Sequence, residues 1–128
     1  MNKLLFFLVF FIFLFGCQKD NSINYSSGLI GKWSWLRTCG GFVGCVGPEE
    51  EHVTINLVYT SDSIYTLYQN DSLKFSSRFH TFKLYSIDGK DSVDIIKYDS
   101  GGSYNYSITH DTLGLGNLII GSIYKRIK

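Results

Sequence analysis

The chain has 128 residues and a formal net charge of +1, with 12 Lys and Arg set against 11 Asp and Glu. Without a basic patch or an acidic tail, that balance argues against a nucleic-acid partner and against a store of cations. The length allows one domain with a real hydrophobic core.

Met1-Asn-Lys3 carries one positive side chain and leads into Leu4 to Phe15, LLFFLVFFIFLF, which has no polar side chain. Spanning a bilayer takes roughly 20 apolar residues, so this shorter run reads as the core of a secretory signal peptide. It stops abruptly at Leu14-Phe-Gly-Cys17, where polar sequence begins. That seam resembles the lipobox of bacterial lipoproteins. The resemblance implies that the Cys17 sulfur takes a diacylglyceryl group and that a signal peptidase cuts between Gly16 and Cys17. Fatty acyl chains such as palmitate would then hold the protein to a membrane. A buried methylene contributes about 0.8 kcal/mol and one chain holds only marginally, so two or three make the attachment stable.

Gln18-Lys-Asp-Asn21 resembles the export signal that carries some lipoproteins of Bacteroidetes-type bacteria to the outer face of the outer membrane. Asp20 supplies its acidic character, and Asn21 departs from its acidic run. The expected location is the cell outer membrane, lipid-anchored and exposed at the cell surface. The chain divides into three segments: a signal peptide over 1–16, a flexible tether over 17–27 with Cys17 at its head, and a folded domain over 28–128. Extended, the tether reaches on the order of 30 Å. Removal of residues 1–16 leaves 112 of the 128, including both Trp and all nine Tyr.

Beyond residue 28 almost nothing has helical period. Val, Ile, Tyr, Phe and Thr alternate with polar residues between clusters of Asn, Asp, Gly and Ser. The pattern predicts strands near 32–38, 52–60, 63–69, 73–79, 81–87, 92–98, 103–109 and 112–127. The last is expected to split at 114–117 or near Gly121. In HVTINLVY, Val53, Ile55, Leu57 and Tyr59 share one face. Turns are expected at Gln69-Asn-Asp-Ser72, Asp88-Gly89 and Asp99-Ser-Gly-Gly102, whose residues tolerate the backbone angles of tight hairpins. Asp62-Ser-Ile, Asp71-Ser-Leu, Asp91-Ser-Val and Asp111-Thr-Leu repeat one signature at strand starts. It serves as hairpin punctuation, and it also resembles an O-glycosylation acceptor of Bacteroidetes-type bacteria.

Seven to nine short strands in about 100 residues leave a sandwich or a closed barrel. Closure removes exposed edges. Gly28-Leu-Ile-Gly-Lys-Trp33 resembles the entry to the first strand of lipocalin-like barrels, where an indole sits at the closed end. In Tyr124-Lys-Arg-Ile127, Arg126 or Lys125 could lie over the Trp33 ring, a cation–π contact of about 0.5–2 kcal/mol joining the first and last strands. Together with GKWSWLRTCGG, a Gly-rich loop with one Pro, and SIYTLYQN, these features resemble the small lipocalin-like lipoproteins of Bacteroidetes-type bacteria. The resemblance implies an all-β fold, a single eight-stranded antiparallel up-and-down barrel, and no agreed activity.

Cys39 and Cys45 bracket GGFVG. Export places them in an oxidising setting that favours a disulfide, with free thiols or a metal site as the alternatives. Glu49-Glu-Glu-His52 enters a predicted strand, where successive side chains alternate faces and do not converge on one ion. It reads as a solvated rim. His80 and His110 stand alone. No Ser/His/Asp order, carboxylate pair or nucleotide loop can be assembled, so the chain is expected to be no enzyme, with no cofactor and no metal.

The aromatic residues carry the functional expectation. Trp35, Tyr65, Tyr68, Tyr104 and Tyr106 could line a pocket for an apolar or a sugar ligand, since aromatic faces with polar tips suit both, at the end that holds the Cys39–Cys45 loop. An eight-stranded barrel can equally be filled by its own side chains. The leading expectation is a lipid-anchored, non-enzymatic binding module for a small hydrophobic or amphipathic molecule. The rival is a structural or protein-interaction lipoprotein, inhibitor-like, with a solid core.

Overall fold

The structure, a computed structural model, describes residues 28–42, 44–117 and 119–128. The segments expected to be a signal peptide and a tether, with the expected Gly16–Cys17 cleavage site, lie outside these residues. Among the described residues, nine strands and one helical turn run in order: β1 (Gly31–Gly40), β2 (Cys45–Val46), α1 (Pro48–Glu51), β3 (Ile55–Tyr59), β4 (Ile64–Gln69), β5 (Ser72–Tyr85), β6 (Ser92–Tyr98), β7 (Ser103–Thr109), β8 (Thr112–Gly116) and β9 (Ile120–Ile127).

All pairings are antiparallel, and β3 to β8 each pair with the next strand in sequence. Strand β1 pairs with β3 on one side and with β9 on the other, so eight strands close into an up-and-down barrel of lipocalin-like form. The short β2 is a ninth strand that doubles back on the end of β1, with Cys39 directly opposite Cys45. The two are joined as a disulfide with a Cα–Cα separation of 4.0 Å.

Turn chemistry sets the hairpins. Asn70 and Asp71 both take positive φ, 49° and 61°, which gives a two-residue connection the right-handed twist of its flanking strands. The four Asp-Ser/Thr-aliphatic signatures sit where turns pass into β4, β5, β6 and β8. In one of them the Thr60 hydroxyl donates to the Asp62 carboxylate, and the Ser63 N–H donates to Thr60 O at 3.1 Å.

Two expectations are corrected. The segments 73–79 and 81–87 are one strand of 14 residues, β5. Its first half, Ser72–Arg78, pairs with β4 and its second half, Phe79–Tyr85, with β6. Such stagger between neighbours is what closing a barrel with tilted strands requires. Residues 49–52 do not enter a strand: Pro48–Glu51 is a helical turn, and β3 starts at Ile55. Proline suits a first helical position, and the Gly47 N–H donates to the Glu50 carboxylate at 2.8 Å. The final segment splits as expected, with β8 ending at Gly116 and β9 starting at Ile120, and the Asn117 side chain accepts from the N–H groups of Ile119 and Ile120, each at 2.9 Å.

The core fills one end of the barrel. Leu29, Trp33, Leu57, Tyr59, Phe79, Ile96 and Leu113 are almost fully buried. The Trp33 indole N–H donates to Leu29 O at 2.9 Å, so its polar atom is satisfied where water cannot reach. The Arg126 guanidinium lies 4.1 Å from the Trp33 ring centroid. It also donates to Ile30 O at 2.9 Å and to Gly28 O. Trp33 and Arg126 are directly opposed in the β1–β9 ladder, so these contacts seal the seam at its base. Gly31 is required there. Its φ is 137°, and a Cβ at that position would stand 2.8 Å from the Arg126 guanidinium.

Replacing the arginine (Arg126→Ala) removes the ring contact and two charge-assisted hydrogen bonds. The expected loss is about 3 kcal/mol of unfolding free energy, read by denaturant titration. Lys125→Ala, which removes neither the ring contact nor those two bonds, is expected to change the midpoint little.

Candidate functional site

The opposite end of the barrel is hollow. A cavity of about 570 Å³ opens among the turns after β6 and β8, a size ordinary for small-molecule sites. Leu57, Tyr65, Tyr98, Leu115 and Tyr124 line its depth, and Phe75, Ser100, Tyr104, Asn117 and Ile120 stand nearer the rim. Ser122 adds a hydroxyl, hydrogen-bonded to Thr38 Oγ1 at 2.7 Å. None of the lining residues is ionic. The walls offer aromatic faces and neutral hydroxyls, a set that suits an apolar or amphipathic molecule.

Strand alternation puts these side chains inside. Tyr98 follows Ile96 on the inner face of β6, and Tyr124 follows Ser122 on that of β9. The rings form a continuous column from the packed base to the rim. Phe79 meets Tyr59 edge-on at 5.1 Å between centroids, and Tyr59 meets Tyr65 at 5.2 Å. Tyr65 meets Tyr98 at 4.6 Å, and Tyr98 meets Tyr104 at 6.0 Å. Offset and tilted pairs at these separations are favourable beyond their burial. At the centre of the column the Tyr59 and Tyr98 hydroxyls share a hydrogen bond of 2.6 Å.

Burial pushes the Tyr59 hydroxyl well above its ordinary pKa, with the Tyr98 hydroxyl adding to the effect. Desolvation likewise raises Tyr65, Tyr98 and Tyr124. Ionising any of them would put a charge where water is scarce. They therefore stay neutral, and the three that line the cavity, Tyr65, Tyr98 and Tyr124, present hydroxyls to a guest.

Of the aromatic residues singled out from sequence, the structure brings Tyr65 and Tyr104 to the cavity. Three others do not line it. Trp35 is buried, with its indole N–H donating to Thr38 Oγ1 at 2.9 Å, and a bulge between Trp35 and Arg37 offsets the rest of β1. Tyr68 has the opposite parity to Tyr65 and Leu67 on β4 and sits across from Asn56, so alternation turns it away from the interior. Tyr106 is packed into the core beside the cavity. Sequence reasoning missed Tyr98 and Tyr124. The signal for Tyr124 was its period-2 spacing from Ser122 on the last strand, whereas Asp-Ile-Ile-Lys-Tyr98 alternates too weakly to show its inner face.

The disulfide pins the loop at this same end, where β1 finishes. His80 lies elsewhere, on the outer surface, with its Nε2 2.8 Å from the Asp99 carboxylate.

This geometry sets the outcome of two measurements. Each raised tyrosine favours the folded state while neutral, so its contribution is complete below the ordinary pKa of 10.0 and is lost as pH rises beyond it. In an alkaline titration followed by phenolate absorbance, these four are expected to ionise only together with unfolding. Reducing the Cys39–Cys45 bridge is expected to cost about 2 kcal/mol, since the ring it closes is short; unfolding with and without reductant checks this.

No family model matches the chain, no curated protein matches it, and no solved structure matches it.

Proposed function

We propose that this chain is a lipid-anchored outer-membrane lipoprotein whose barrel binds a small hydrophobic or amphipathic molecule and performs no chemistry on it. The observation that carries the binding role is the uncharged cavity of about 570 Å³, open at one end and walled by Leu57, Tyr65, Tyr98, Leu115 and Tyr124. An interior filled throughout by its own side chains would leave no such space, which is why the ligand reading stands ahead of a protein-interaction role for a solid barrel.

The chemistry of the walls sets the ligand class. Apolar area from Leu57, Phe75, Leu115 and Ile120 would take a hydrocarbon or flat-ring body, while tyrosine and serine hydroxyls would meet a carbonyl, hydroxyl or ether oxygen. An ionised group on the guest has no counter-charge among the lining residues and would remain at the rim. The lipid anchor rests on the Leu14-Phe-Gly-Cys17 seam, and the outer-membrane address on Gln18-Lys-Asp-Asn21.

Mature protein incubated with fatty acids and porphyrins is expected to retain one guest per chain in native mass spectra and to shift its tryptophan emission. Filling the cavity by Leu115→Trp is expected to weaken binding by about tenfold or more, or roughly 1.4 kcal/mol, while the fold persists by circular dichroism. Absence of any adduct across both ligand classes would remove the binding role.

A further inference from the structure

The closed end of the barrel carries a projection that its interior does not explain. Among the described residues β4 pairs with β5 only as far as Arg78, and β7 pairs with β6 only from Ile95 onward. Beyond those points Phe82–Tyr85 and Ser92–Ile95 pair with each other. The Phe79 N–H donates to Ser63 O in the β3–β4 turn at 3.0 Å, so the rest of β5 extends past that turn. Every residue from Phe82 to Val93 is exposed.

This arm is held in a definite shape. Lys83 Nζ bonds the Asp94 carboxylate at 2.8 Å, and the Ser86 N–H donates to Asp91 O at 2.9 Å. The Asp88 carboxylate accepts from the Ser86 hydroxyl and from the Lys90 N–H, which holds its pKa below the ordinary value. The result is a firm turn that presents Ile87, fully exposed, at its tip. Phe82, Leu84 and Val93 lie on the outer face, opposite in parity to the buried Phe79 and Ile96, and are 46%, 58% and 43% exposed. A two-stranded ribbon alone is marginal in water, and an apolar one with open edges invites a partner.

We propose that the arm docks on the bilayer to which Cys17 is fastened, seating Ile87 and its apolar neighbours at the membrane interface and turning the cavity mouth toward the surrounding medium. This rests on the lipid anchoring proposed above. Two observations select a lipid surface over a second copy or another protein. The chain enters the fold at Gly28, at the same closed end as the arm, and Cys17 stands only 11 residues before it. A tether of that length spans at most about 40 Å and keeps this end beside the membrane. The arm also pairs an apolar tip with Tyr85 and with the long side chains of Lys83 and Lys90, a mixture suited to the headgroup boundary. Asp88, Asp91 and Asp94 offset the two lysines, so the attachment draws on apolar burial and does not require anionic lipid.

The test uses the mature acylated chain in phosphatidylcholine vesicles whose acyl chains carry bromine, a contact quencher of tryptophan. Two variants are compared, Ile87→Trp at the arm tip and Phe42→Trp at a fully exposed position of the opposite end. Trp33 and Trp35 are buried and give a constant background. The added emission of Ile87→Trp is expected to shift to the blue and to fall by roughly half, as for a group lying 5–10 Å into the boundary; that of Phe42→Trp is expected to stay unchanged. An acylated chain that floats with the vesicles while position 87 stays unquenched overturns the docking alone. Quenching at 42 in place of 87 overturns it by reversing the orientation. A blue shift at 87 that depends on protein concentration and is insensitive to bromine assigns the arm to a second copy and overturns it too. A mature chain whose intact mass lacks acyl groups, and which does not float, removes the anchor and the docking together.

Discussion

The contact between Arg126 and Trp33 is the constraint on which the barrel depends. A sheet of eight strands becomes a barrel only if its first and last strands meet, and here they meet around one guanidinium. The same group covers the indole ring and binds the carbonyls of Gly28 and Ile30, so it satisfies backbone acceptors that the entering chain would otherwise leave without partners. Gly31 makes the approach possible by having no Cβ in the way. Closure at this seam creates the rest of the architecture: a shielded interior, a defined base, and a single end left open.

The interior divides its labour along the barrel axis. At the base, Trp33, Phe79, Ile96 and Leu113 leave no water-accessible surface. Above them the walls around Leu57, Leu115 and Ser122 stand apart, and space appears. The tyrosine column spans both regions, with the Tyr59–Tyr98 hydroxyl pair at the boundary between packed core and hollow. A hydroxyl pair buried at that depth fixes ring orientations more tightly than apolar packing alone would, because leaving either oxygen unmatched is costly. Stability and vacancy therefore occupy different ends of one small structure. The rim carries its own reinforcement, a disulfide between residues already opposed in a ladder.

Much of this was legible in the residues. Alternation of aliphatic and polar positions marked most strands, Asp-Gly and Asn-Asp pairs marked the turns, and Gly-x-Trp with a terminal Arg marked the seam. What escaped was non-local. Nothing in Phe79-His-Thr81 announces that one strand serves two neighbours, because stagger is a property of the closed sheet. The bulges at Leu36 in β1 and at Lys74 in β5 each leave one residue out of the ladder without any glycine to flag them. Tyr68 is a different case: three positions from Tyr65 on an unbroken strand, it falls on the outer face by simple alternation. The helical turn at Pro48–Glu51 was readable in principle, since Gly47-Pro48 with an acidic residue at the third helical position is a helix-start pattern; the apolar alternation from Val53 onward masks it by extending a strand signal back toward the loop.

The order of pairing in the sheet has a further consequence for how the chain reaches this state. Strands β3 to β9 are joined to their sequence neighbours by turns of a few residues, so each hairpin closes over a short loop and can zip from its turn. The β1–β9 seam instead joins positions nearly a hundred residues apart, as the bonds from Arg126 to Gly28 and Ile30 show. Its entropy of closure is recovered only once the intervening ribbon has already curled. The molecule is thus assembled like a roll whose clasp fastens last, and the clasp lies beside the point where the polypeptide enters the fold.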